Sequence, residues 1–183
     1  KLLNDVQIPN PERVMKMYPH ELSGGMRQRI SIAIALSNDP EIIIADEPTT
    51  ALDVTVQAQI LRILDQLRKE RSLSIIFISH DFGVISQICD RIIVMYAGEI
   101  VEQGQSTEIL NNPQHPYTAS LIKCVPQLGE RNAELYSIKG SPPLLDNLPH
   151  GCKFASRCDS AKSKCKENNI SLKTIKKRTV RCL

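Results

Sequence analysis

Apolar positions change their spacing along this chain, and the spacing predicts helices and strands in turn. Residues 1–22 are polar and punctuated by proline. From Ser23 onward, Met26, Ile30, Ala33, Ile34 and Ser37 recur three or four residues apart, which predicts a helix with one apolar face. Asn38-Asp39-Pro40 stops it. Ile42-Ile43-Ile44-Ala45 is short, wholly apolar and mostly β-branched, the pattern of a strand buried on both faces in a parallel sheet. A second helix is predicted from Thr55 to about Arg71, with Val56, Ile60, Ile63, Leu64 and Leu67 inward. Leu73 to Ile78 reads as a second buried strand and Asp81 to Cys89 as a short helix. Arg91–Met95 and Glu99–Glu102 read as strands joined by a turn through Ala97-Gly98. Helices are expected at about 105–111 and 116–124, the second entered at Pro116. Strands alternating with helices indicate an α/β layer fold.

Composition adds a boundary to this picture. Residues 1–150 hold 13 Lys+Arg against 18 Asp+Glu, whereas residues 151–183 hold 10 against 2. The break follows the Pro-rich stretch Gly140-Ser141-Pro142-Pro143, and four of the six cysteines lie in the basic tail. A basic tail is either a nucleic-acid or membrane-surface patch or a solvated face. Phe154 is its one aromatic residue, so it has little capacity to stack bases, and no nucleic-acid partner is expected. No apolar run approaches the roughly 18 residues of a spanning helix, so any membrane role is expected to work through partner subunits. The chain shows no initiator Met, signal-peptide or transit-peptide pattern, and the expectation is a piece of a longer protein.

Three segments carry candidate chemistry. In Leu22-Ser23-Gly24-Gly25-Met26-Arg27-Gln28-Arg29, a Ser and two Gly stand at a helix N-terminus, where free N–H groups favour a phosphate. Read alone, the segment is also an ordinary Ser N-cap. In Ile42-Ile43-Ile44-Ala45-Asp46-Glu47-Pro48, two adjacent carboxylates end a buried strand, where α/β sheets bind ligands. One could hold Mg²⁺ and the other could deprotonate an attacking water; alone, they could equally be a solvated strand end. Ser79-His80-Asp81 puts a His at the end of the second strand, for a γ-phosphate or a structural role.

Together these segments resemble the ATP-binding-cassette (ABC) family. Residues 22–29 are similar to its signature motif, 42–48 to its Walker B with catalytic Glu, Ala51-Leu52-Asp53 to its D-loop, and His80 to its switch histidine. The resemblance implies a partial P-loop NTPase layer fold, with parallel strands flanked by helices. It also implies roles. Asp46 would hold Mg²⁺, Glu47 would polarise the attacking water, and His80 would contact the γ-phosphate. Ser23, Gly24, Gly25 and Gln28 would face ATP held by a partner subunit, and Asp53 would couple the two sites. The sequence contains no G-x-x-x-x-G-K-[ST] loop. In this family that loop and the Gln loop precede the signature, so they are expected upstream of Lys1, and this piece alone is expected to be inactive.

Asn112-Pro113-Gln114-His115-Pro116-Tyr117-Thr118 is, on its residues, a loop entering a helix at proline. It resembles the motif that follows the cassette in oligopeptide, dipeptide and nickel importer ATPases, as do 139–143 and 151–158. The expected domains are residues 1–112, part of the cassette, and 113–183, a small irregular extension containing cysteine. Cys152, Cys158, Cys165 and Cys182 follow the spacing C-x5-C-x6-C-x16-C. Structural zinc usually uses tighter pairs, and a reducing compartment disfavours disulfides. Four thiolates at loose spacing fit an iron–sulfur cluster, and some members of the family carry a 4Fe-4S cluster here. Zinc, free thiols and disulfides stay open. Cys89 and Cys124 fall on apolar faces, as small core residues do.

The resemblance implies an ATP- and Mg²⁺-dependent importer subunit for peptides or a related solute such as nickel, peripheral on the cytoplasmic face of the cell membrane. Its partners would be a homologous second ATPase, two transmembrane permease subunits and an extracytoplasmic solute-binding protein. The competing readings are a non-transport ABC ATPase and a C-terminal iron–sulfur or metal-binding regulatory module.

Overall fold

In the computed structural model, which describes residues 1–125 and 136–183, the first two apolar runs form a parallel pair. Strand β1 (Ile42–Asp46) lies beside β2 (Ser74–Ile78), in register from Ile42 opposite Ser74 to Asp46 opposite Ile78. Parallel strands need a long crossover. Here it contains α4 (Val54–Arg71), whose N-terminus is capped by Asp53. Before β1 come α1 (Leu2–Asp5), α2 (Pro11–Val14) and α3 (Gly24–Ala35). These elements make one compact unit, Lys1–Asp81, and a second comprises Phe82–Leu183.

The first unit packs Ile60, Ile63, Leu64 and Leu67 of α4 into a core that also holds Ile43 and Ala45 of β1 and Ile32, Ala33 and Leu36. Each such side chain contributes about 1.5–3 kcal/mol when buried. Arg71 fastens the unit's perimeter, at 2.6 Å from Asp5 and 2.9 Å from Asp39.

Two expectations need correction here. On α3, Ala33 is buried as expected and Ile32 joins it, with Leu36 just beyond the helix; Met26 and Ile30 are half-buried, and Ile34 and Ser37 are exposed. Ile30, Ile32 and Ile34 are all apolar, so the sequence offered overlapping stripes, and packing took the one through Ile32. In this chain one face of β1 is buried and the matching face of β2 is half-buried, and the other face of each is exposed. Ile44 remains 66 % exposed and Ile76 53 %, with Ile42 and Ile78 exposed beside them. The helical cover lies on the side of Ile43 and Ala45.

The second unit begins with α5 (Phe82–Ile88), then β3 (Arg91–Tyr96) and β4 (Glu99–Gln105). The hairpin turn uses Ala97 and Gly98, both at positive φ, which matches the twist of the flanking strands. Helices α6 (Ser106–Asn111) and α7 (Pro116–Lys123) follow, then α8 (Ser163–Glu167) and the short strands β5 (Lys173–Ile175) and β6 (Arg178–Val180). The sheet order is β3-β4-β6-β5, antiparallel throughout. The tail expected to be irregular thus supplies two strands, because β6 pairs along the otherwise open edge of β4. Within residues 82–183 this pairing joins the tail to the β3–β4 hairpin. Ile92, Val94 and Tyr96 alternate inward on β3 and pack with Val101, Ile109 and Phe154. The Tyr96 ring stands 4.6 Å from that of Tyr117 and 5.3 Å from that of Phe154.

Candidate functional site

The carboxylates of interest stand where β1 ends. The Glu47 N–H donates to the Ile78 carbonyl of β2 at 3.0 Å, carrying the ladder one residue past Asp46. Its backbone then turns left-handed, at φ 45°, and its carbonyl accepts the Thr50 N–H at 3.1 Å. A side chain carries a cost of roughly 1–2 kcal/mol in that conformation. Strained backbone of this sort collects at functional loops. The turn presents the Glu47 carboxylate to His80, at the end of β2. His80 Nδ1 lies 3.0 Å from Glu47 Oε1, and the Thr50 hydroxyl donates to Oε2 at 2.9 Å. These hydrogen bonds, His80 first and Thr50 second, hold the Glu47 carboxyl below the usual carboxylate range. The His80 side chain is 76 % exposed, so the group meets solvent rather than core. Asp46 is exposed beside it, and a carboxylate oxygen is the donor type that Mg²⁺ takes.

The signature-like segment forms the first turns of α3. Ser23 is the N-cap, its Oγ accepting the Met26 N–H at 3.3 Å, and Arg27 closes the entry by donating to the Leu22 carbonyl at 2.6 Å. A Cβ on Gly25 would come within 2.6 Å of Val56 Cγ1, so glycine favours close helix packing there whatever else it touches. Gly24 sits beside Leu52, and Gln28 is half-buried on the same helix. Asp53 accepts the Val56 N–H at 2.9 Å as the cap of α4. The structure therefore joins Glu47 to His80 and Thr50 by hydrogen bonds, and the signature glycines to residues 52–56 by packing.

In the second unit, Cys152, Cys158, Cys165 and Cys182 line one cavity of about 140 Å³ with His115 and Phe154. The Cys152 N–H donates to the Cys165 carbonyl at 2.7 Å, and a Cβ on Gly151 would overlap that same oxygen. Glycine at 151 is what allows the segment before Cys152 to meet α8. Arg181 anchors the end of the tail through its N–H to Val101 at 2.8 Å and its Nε to Ile100 at 2.9 Å. All six cysteines are free thiols. Burial pushes the Cys152 and Cys158 thiols up, and the neighbouring cysteines add to this. Among the described residues, no three His, Cys, Asp or Glu side chains are placed to share a single ion. The thiols surround a volume and do not converge on a point. Cys89, half-buried against the same core, has its thiol pushed up by burial, as a packing cysteine should.

Sequence reasoning missed Thr50 and Glu102. Glu102 is 0 % exposed and accepts the Gln114 and His115 N–H groups at 2.8 and 2.9 Å, with Arg178 Nη1 at 3.8 Å. It pins the loop before α7 to β4. A Glu within the apolar run Ile100-Val101 was the available signal. His115 is buried and its Nδ1 accepts the Tyr117 N–H at 3.1 Å, which fixes the neutral ring; burial lowers its pKa to about 4.

Comparison with known proteins adds to these observations. A family model described as ABC transporter matches residues 1–50, and one described as Oligopeptide/dipeptide transporter, C-terminal region, matches residues 101–165. The oligopeptide transport ATP-binding protein AppD of Bacillus subtilis is 51% identical over 183 residues, 100% of this chain and 56% of that protein. The oligopeptide transport ATP-binding protein OppD of Salmonella typhimurium is 50% identical over 165 residues, 90% of this chain and 49% of its own length. The chain thus spans about half the length of the curated relatives it matches. Among solved structures, a dimeric post-hydrolysis state of the ATP-binding cassette MJ0796, bound to ADP and Pi, matches with TM-score 0.51 and 34% identity. That match covers 57% of this chain and 44% of the other.

Proposed function

We propose that this chain, which belongs to the ABC transporter family and carries that family's oligopeptide/dipeptide C-terminal region, is part of an ATPase subunit energising peptide import. The observation that carries the reading is the Glu47–His80 pair, exposed at the ends of two parallel strands. Glu47, held ionised by its hydrogen bonds, accepts the proton of the attacking water at its carboxylate. His80 orients that carboxylate and meets the γ-phosphate. Asp46 would hold Mg²⁺, which when bound neutralises charge on the phosphates. Ser23, Gly24, Gly25 and Gln28 face the nucleotide of a second, homologous ATPase, and Asp53 links the two sites. Two permease subunits and an extracytoplasmic binding protein complete the importer. No helix among the described residues is long and apolar enough to cross a membrane, which fits attachment through such partners at the cytoplasmic face.

The cysteine cavity is the finer part of this reading. Four soft thiol donors around one volume suit a 4Fe-4S cluster, which offers its irons at separate corners. Cys152, Cys158, Cys165 and Cys182 would ligate it, and its binding energy would add to the folding of the tail. Anaerobically purified protein should be brown, with absorption roughly near 400 nm as thiolate-bound iron requires, and Cys158→Ser should bleach it. A colourless protein with stoichiometric zinc, or without metal, would refute the cluster.

Vesicles containing the full-length protein, its partner ATPase and the permease pair test the main reading. ATP should drive uptake of peptides delivered by the binding protein. ATP hydrolysis with no peptide accumulation would refute the transport assignment.

A further inference from the structure

We propose that Thr50 is a positioning residue for Glu47: its hydroxyl fixes the rotamer from which the carboxylate takes the water's proton. The inference rests on the reading of Glu47 as general base and extends it to the residue that holds it.

Three observations carry it. Thr50 Oγ1 donates to Glu47 Oε2 at 2.9 Å, while His80 occupies Oε1 at 3.0 Å. The two oxygens are thus held from different elements, one from the loop that follows β1 and one from the end of β2. The loop is itself built around this contact. Glu47 and Ala51 both have left-handed backbones, with φ of 45° and 62°, and the Thr50 N–H returns to the Glu47 carbonyl at 3.1 Å. Backbone and side chain of Thr50 therefore bind backbone and side chain of the same residue. Finally, the Glu47 side chain is 45 % exposed, so packing does little to choose its rotamer. A free glutamate side chain samples many rotamers, and holding one of them is the entropic part of placing a reacting group.

His80 has a second task. The role proposed for its ring also takes it to the γ-phosphate, so its hold on Oε1 is shared with the nucleotide. Thr50 has no such second task. It keeps Oε2 in place while Oε1 works, so its contribution falls on the chemical step and not on nucleotide binding.

The test is steady-state ATP hydrolysis by the full-length protein assembled with its partner ATPase. Thr50→Val, which keeps the branched shape and removes the hydroxyl, should lower kcat about tenfold, at the low end of what one placed catalytic group supplies. KM for ATP should stay within about twofold, and Thr50→Ser should restore kcat to within about twofold. Adding Thr50→Val to Glu47→Gln should cause no further loss, since the contact no longer serves a base. Thr50→Val with more than half the normal kcat, while Glu47→Gln is inactive, would overturn the positioning role alone. Equal losses in Thr50→Val and Thr50→Ser, or a rise in KM with kcat kept, would also overturn it. A Glu47→Gln protein that keeps more than half its turnover would remove the general base itself and the clamp with it.

Discussion

The two units handle polar chemistry in opposite ways. In residues 1–81 the Glu47 and His80 side chains are exposed, and their hydrogen bonds lie in solvent reach. In residues 82–183 the key polar groups are buried and partnered: Glu102 accepts two N–H groups beside Arg178, and His115 accepts one. An exposed group gains little stability from a neighbour but stays free to exchange it for a ligand. A buried one cannot exchange without a large penalty. The hydrogen bonds of Glu47 are therefore ones a ligand can replace, whereas those of Glu102 hold a shape.

The contrast breaks first at Glu102. Glu102→Ala takes the acceptor from the buried His115 N–H and the partly buried Gln114 N–H and removes the carboxylate beside Arg178, a loss of about 3–5 kcal/mol for a buried charged partner. Tyrosine fluorescence during urea unfolding should report it, since Tyr96 and Tyr117 lie in that core. Limited proteolysis should then cut the tail while residues 1–81 stay protected. Equal loosening of both units would mean that they do not behave separately.

A smaller effect should come from pH. His115 titrates near 6.5 when unfolded and at about 4 when folded, so the folded state binds fewer protons between those values. Stability is complete above about pH 6.5 and falls as the pH drops toward 4, by roughly 3 kcal/mol at 1.4 kcal/mol per unit. His115→Gln should flatten the difference between pH 7 and pH 4.5 in urea titrations. An unchanged slope would show that the ring is open to protons.

Gly25→Ala should act least. The added methyl meets Val56, an overpacking worth about 1–3 kcal/mol that a shift of α3 can partly relieve. A lowered Tm with proportionate hydrolysis would confirm packing as the main reason for this glycine. Normal Tm with lost hydrolysis would assign it to phosphate contact.

Much of this was legible in the sequence, and what was not had local causes. Periodicity located every major helix and strand of residues 23–123, because apolar spacing follows core contact directly. It placed Ile34 inward on α3, where Ile32 is buried instead. It also missed the strands at 173–180, where Lys173, Lys176, Lys177 and Arg178 mask any alternation. Asp46, Glu47 and His80 stood out because motif spacing carries them. Thr50 and Glu102 did not, since their importance lies in hydrogen bonds closed by a left-handed turn and by a loop 12 residues away. The approach of Cys152 to Cys165 depends on Gly151 against the Cys165 carbonyl, a contact that sequence spacing does not encode.

The exposed chemistry of the first unit is tested most directly by phosphate release from the full-length, partnered ATPase with and without Glu47→Gln. Loss of the base should lower turnover by about 10²–10⁴-fold, with ATP binding unchanged because Asp46 remains. A Glu47→Gln protein that keeps more than half the normal turnover would contradict the assignment of Glu47 as the residue that activates water.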